Sequence, residues 1–128
     1  MNLEITDIDK RYYQEHLQEF LPERIVDIHT HVYIKEITGT AAVQDKRLVS
    51  WTSLVAEDNP IEDLLESYQR MFPGKTVTPC IFPRIEPVDK IDELNEYTRA
   101  SAASHQLPIL LLAHPAWPGE ELELKLKN

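Results

Sequence analysis

Asp27, His29 and His31 stand at alternate positions of the run RIVDIHTHVY, residues 24–33, with Val26, Ile28, Thr30 and Val32 interleaved. A strand points successive side chains to opposite faces and spaces residues two apart by about 6.6 Å, so this alternation predicts both imidazoles on one face with the Asp27 carboxylate beside them. Imidazoles so placed can reach one divalent ion, zinc before others, at Zn–N distances of about 2.0–2.1 Å. The opposite face, Val26, Ile28, Thr30 and Val32, is expected to pack under a helix. Two inert histidines on an exposed strand would give the same spacing, but β-branched neighbours argue against exposure, and buried imidazoles without partners are costly. His29 and His31 are therefore the expected metal ligands, and Asp27 is read as a group that orients them or the strand end.

Three other side chains are candidates for contact with a small-molecule substrate. His114 closes the run PILLLAH just before Pro115 and suits either a substrate or metal contact or a satisfied strand-end histidine. Arg84, shortly after KTVTPCIF, has the planar fork to hold a carboxylate bidentately, although loop arginines are ordinarily just solvated. Trp51 lies in the long connection 33–59, a candidate lid or pocket wall, yet Trp51 and Trp117 are of a type that more often packs.

The elements that must position these residues follow from periodicity. Ile5, Ile8, Tyr12, His16 and Phe20 recur at helical spacing and predict an amphipathic helix ending near Leu21-Pro22. RIVDIHTHV is the first strand. Asp58-Asn59-Pro60 predicts a helix start, with a capping side chain and a first-turn proline, followed by the stripe Ile61, Leu64, Leu65, Tyr68 and Phe72 up to Pro73-Gly74. KTVTPCIF is the second strand, and Pro79 inside it predicts a sheet edge or a bulge. Pro87 opens a helix with Val88, Ile91, Leu94 and Thr98 on one face, running to about Gln106. PILLLA is the third strand, a continuous apolar run of the kind a parallel sheet covered on both faces requires. The tail ELELKLKN is open between strand, by its leucine alternation, and helix, by GEEL after proline. Strands alternating with helices predict right-handed βαβ units, hence an α/β domain over 1–128 with a parallel sheet in sequence order.

Composition removes several function classes. Thirteen Lys and Arg against 22 Asp and Glu give a net charge of −9, so a nucleic-acid backbone would meet repulsion. The single cysteine, Cys80, forms no intramolecular disulfide, and the longest apolar run, ILLLA, is too short to span a bilayer. A soluble cytoplasmic setting without nucleic acid or membrane is expected.

The stretch IVDIHTH resembles the Asp-x-His-x-His signature on the first barrel strand of the amidohydrolase superfamily. Within it, the resemblance is to the amidohydrolase-related branch, in which the barrel begins close to the N-terminus and which holds both hydrolases and decarboxylases of the aminocarboxymuconate-semialdehyde type. LPILLLAHPAWPGEEL is similar to the third-strand region of that branch. The polymerase-and-histidinol-phosphatase family would follow its His-x-His with Ser-Asp-Gly, where VYIKEITG stands here. The resemblance implies the N-terminal portion of a (β/α)8 TIM barrel, about three βα units of eight. It implies a metal-dependent hydrolase, with metal-activated water attacking an amide, ester or lactone carbonyl, or alternatively a decarboxylase on the same ligand set. It places further ligands, histidines and an aspartate that accepts the proton, on later strands, so no residue of this sequence is assigned as general acid or base. The other class of function is a truncated, non-catalytic module that self-associates through exposed sheet edges, and either reading leads to an expected homo-oligomer.

Overall fold

The computed structural model describes residues 4–39, 58–85 and 87–127. Their architecture is mixed α/β, built on a two-stranded parallel sheet of β1, Arg24–His31, and β2, Thr76–Phe82. Parallel strands need a crossover, and the last element before β2 is helix α3, Ile61–Met71. After β2, a single 3-10 turn at Val88–Lys90 leads into α4, Ile91–His105. The chain then returns alongside β2 through one parallel bridge, Ile81 to Ile109, which gives the spatial order expected from the sequence.

The predicted third strand is reduced to that bridge. Ile81 N–H donates to the Pro108 carbonyl and Leu110 N–H to the Ile81 carbonyl, each at 3.0 Å. Beyond them, Leu112 is held by a side chain: Asn95 on α4 takes its N–H on Oδ1 at 2.9 Å and gives Nδ2–H to its carbonyl at 2.8 Å. The run is not buried on both faces either, since Leu110 is 56% exposed.

Helices α3 and α4 pack against one face of the sheet. Val32, Ile61, Leu64, Ile81 and Ala102 form the core, with Leu65, Tyr68, Tyr97, Leu107 and Ile109 packed around it. The apolar stripes predicted for both helices face inward: Ile61 and Leu64 of α3 are buried and Leu65, Tyr68 and Phe72 half-buried, and on α4 Ile91, Leu94 and Thr98 are buried, while Val88, which precedes α4, is exposed. The predicted cap of α3 is not used. Pro60 holds the cap position without a side-chain hydrogen bond. Asn59 instead pairs its backbone antiparallel with Tyr33 and donates Nδ2–H to the His31 carbonyl at 2.8 Å, so it ties down the exit of β1. Asp58 accepts from Lys35 N–H at the start of the short helix α2, Lys35–Thr38.

The first helix, α1, Asp7–Tyr12, starts with a capping box between Thr6 and Asp9 and runs on as a π-helical turn, Tyr13–Leu17. Its predicted stripe is not the packed face: Ile8, Tyr12 and Phe20 are exposed. Tyr13, at the switch to wider winding, is buried, with its hydroxyl on the Pro73 carbonyl at 3.0 Å and its ring edge-on to Phe72. The π turn widens the winding from Tyr13 on, so residues after it, Phe20 among them, leave the 3.6-residue phase of the stripe. The ambiguous tail is helical, α5, Gly119–Lys127, anchored through Lys125 to Asp92 at 2.6 Å and over the Trp117 ring at 4.5 Å. Among the described residues, no helix is long and apolar enough to cross a membrane.

Candidate metal centre

The histidine pair lies where β1 departs from regular pairing. Asp27 registers with Pro79 and Thr30 with Ile81, so two residues of β1, Ile28 and His29, oppose Cys80 alone. Such a bulge breaks the period of two, re-aiming the side chains beyond it. Pro79 supplies the local reason, because it has no N–H to give the ladder there; the bulge expected for it is observed, and β2 is also one of the two strands of the described sheet, with a lone bridge at Ile81 on its other side.

The bulge corrects the predicted grouping of side chains. Asp27 and Thr30, which strict alternation puts on opposite faces, both meet Tyr68 of α3: the Tyr68 hydroxyl donates to Asp27 Oδ2 at 2.6 Å and lies 3.0 Å from Thr30 Oγ1. Asp27 therefore points to the helix-covered face. Its other oxygen, Oδ1, accepts the His29 backbone N–H at 3.0 Å. Val26 and Ile28, predicted to lie under a helix, are 66% and 76% exposed, whereas Thr30 and Val32 are buried.

His29 and His31 share the open face with Phe82. Their rings stand edge to face with centroids 5.3 Å apart, and the Phe82 ring meets both, at 5.0 and 4.3 Å. His31 Nδ1 lies 3.0 Å from the Pro83 carbonyl. A carbonyl only accepts, so Nδ1 carries the proton and Nε2 keeps its lone pair, the tautomer a metal ligand needs. Partial burial lowers the His31 pKa against the opposing hydrogen bond to Pro83, and the neighbouring His29 and Arg84 charges lower it further. The ring is thus neutral at pH 7. Burial raises the Asp27 pKa, but hydrogen bonds led by those from Tyr68 and the His29 N–H outweigh it, leaving the carboxyl below its ordinary range. Tyr68 is shifted upward by burial and by the same carboxylate, which fixes it as the protonated donor.

The pair supplies at most two of the four ligands of a tetrahedral zinc site. Among the described residues, no group of three or more His, Cys, Asp or Glu gathers to hold a metal, while closed sites need four ligands and catalytic ones three.

Of the other candidates, Arg84 follows Pro83, the residue that orients His31, and its guanidinium carbon lies over the Tyr33 ring, 4.8 Å from the centroid. His114 does not suit a metal in this conformation. Its Nδ1 accepts the Ala116 N–H at 3.1 Å, so a neutral ring carries its proton on Nε2 and offers a donor there. Trp51 and most of the connection read as a lid lie outside the described residues. A wide groove of about 1540 Å³ runs between α1 and the C-terminal end of α3, and neither histidine lines it.

Tyr68 and Asn95 escaped the sequence reading. Tyr68 was absorbed into an apolar stripe, though a buried phenol needs a partner for its hydroxyl; Asn95 carries no comparable signal. Comparison with family models, curated proteins and solved structures finds no match to this chain, so the resemblance stands on the residues that carry it.

Proposed function

We propose that this chain carries the metal-binding first strand of an amidohydrolase-type hydrolase, with His29 and His31 as two donors to a divalent ion, zinc before others. The observation behind this reading is the hydrogen bond from His31 Nδ1 to the Pro83 carbonyl, which leaves Nε2 unprotonated beside His29 on the same face. Bound there, a divalent ion supplies Lewis acidity that polarises a carbonyl and acidifies water. The chain's own residues do the rest of the work assigned to it. The Pro83 carbonyl keeps the His31 tautomer, Asp27 holds the His29 backbone, and Arg84, braced on Tyr33, binds a substrate carboxylate. The remaining donors and the proton acceptor are placed outside the described residues. The sheet order, with both helices on one face, supports a continuing (β/α) barrel winding.

The test is calorimetric titration with zinc at pH 7. Wild-type chain binds loosely, as two ligands allow, and His29→Ala and His31→Ala each weaken binding at least about tenfold. Binding by both variants as tight as wild type overturns the reading. A non-catalytic, self-associating module is the second reading, favoured by the exposure of Val26, Ile28 and Leu110. For that module, sedimentation gives a stable homo-oligomer whose assembly neither histidine variant nor zinc changes.

A further inference from the structure

The two bulged residues of β1, Ile28 and His29, share one partner on β2, so the strand ladder does not fix their backbone. A side-chain relay does. Asp27, before the bulge, takes the His29 N–H on Oδ1 and the Tyr68 O–H on Oδ2, at 3.0 and 2.6 Å. Having given its one proton to Asp27, the Tyr68 oxygen is the acceptor for the hydroxyl of Thr30, beyond the bulge, at 3.0 Å. One phenol from α3 thus bridges both ends of the irregularity. We propose that Tyr68 is the positioning residue of the histidine pair: by clamping Asp27 to Thr30 it holds the bulge, and the bulge turns His29 to the open face beside His31.

The alternative backbone explains why a clamp is needed. If β1 paired regularly from Asp27 onward, every side chain past that point would change faces, since a one-residue slip inverts the alternation. His31 would register one place further along β2 and leave the Phe82 contact, and Thr30 would leave Tyr68. Of the two hydrogen bonds of the Tyr68 hydroxyl, the one to Thr30 exists only in the bulged register, and it ties that register to Asp27. The position, unlike the ring, is specific: the phenol ring packs against the core whether or not the hydroxyl is present.

The consequence for metal binding rests on the function proposed above; the clamp itself does not, and the experiment separates the two. Tyr68→Phe keeps the ring and removes both hydrogen bonds. Metal-free protein is followed by amide hydrogen exchange, and zinc binding by calorimetry, alongside Tyr13→Phe, which removes a hydroxyl bonded to the Pro73 carbonyl beyond the C-terminal end of α3. The expected result is faster exchange at the His29 amide and zinc binding at least about tenfold weaker in Tyr68→Phe. Tyr13→Phe changes neither. Thr30→Ser, which keeps the hydroxyl, binds zinc as the wild type does, and Thr30→Val follows Tyr68→Phe. Unchanged His29 exchange in Tyr68→Phe overturns the clamp. If His29 exchange rises but wild-type zinc binding is insensitive to His29→Ala and His31→Ala, the clamp stands and the metal reading falls.

Discussion

Replacing Asn95 by alanine removes both hydrogen bonds that hold Leu112, at 2.8 and 2.9 Å, from a side chain only 9% exposed. A neutral hydrogen bond contributes about 0.5–1.5 kcal/mol, and a buried group left unpaired costs about 1–3 kcal/mol. Leu112 is half-buried, so water reaches its freed groups in part, and the expected loss for the two bonds together is about 2–3 kcal/mol. With a urea slope near 2 kcal/mol/M, the unfolding midpoint falls by roughly 1–1.5 M. Asn95→Asp, which keeps the acceptor but faces the Leu112 carbonyl with a carboxylate, falls at least as far. Equilibrium urea unfolding followed by circular dichroism measures both. A loss under about 0.5 kcal/mol for Asn95→Ala would refute the argument, since the post-β2 segment would then be held by its single bridge and not by α4.

Leu94, 1% exposed in the interior of α4, is expected to cost about 2–5 kcal/mol when changed to alanine, measured by the same unfolding curves. Val26→Thr with Ile28→Ser, on the open sheet face, leaves stability within about 0.5 kcal/mol and reduces association in sedimentation velocity. The His31 pKa lies below 6.5 in the folded chain, so the unfolded chain binds the proton first as pH falls. Stability is therefore full above pH 6.5 and declines as pH drops toward the folded value; urea midpoints between pH 7.5 and 5 test this, and His31→Gln removes His31's share of the decline.

The parallel sheet, its order and its covering helices were legible because strands and helices alternate with local periodicity, and the stripe of α3 and the face of α4 were drawn from residues that, Val88 apart, are buried or half-buried. The grouping at the metal centre was only partly legible. His29 and His31 do share a face, but the period-two rule also grouped Asp27 with them, and a one-residue bulge defeats that rule. Pro79 was the visible sign that the ladder is interrupted; where the extra residue falls is decided by tertiary hydrogen bonds to Tyr68, which lies 41 residues from Asp27. Phe20 left the predicted stripe for a related reason, a π turn over Tyr13–Leu17 that shifts helical phase without changing composition, whereas Ile8 and Tyr12, which precede that turn, are simply on the open face of the helix. The run PILLLA reads as a full strand by its apolarity alone, which does not decide pairing, and its backbone bonds are divided between Ile81 and the Asn95 side chain.

The central claim is that His29 and His31 bind a metal as a pair, His31 through Nε2 with its Nδ1 proton kept on Pro83. Long-range 1H–15N correlation of the histidine rings, recorded on uniformly labelled chain during zinc addition at pH 7, reads this directly. The account predicts that the His31 Nε2 resonance shifts on zinc addition while Nδ1 stays protonated, and that a His29 ring nitrogen shifts in step with it. Zinc shifting neither ring, or coordinating His31 through Nδ1, would contradict it.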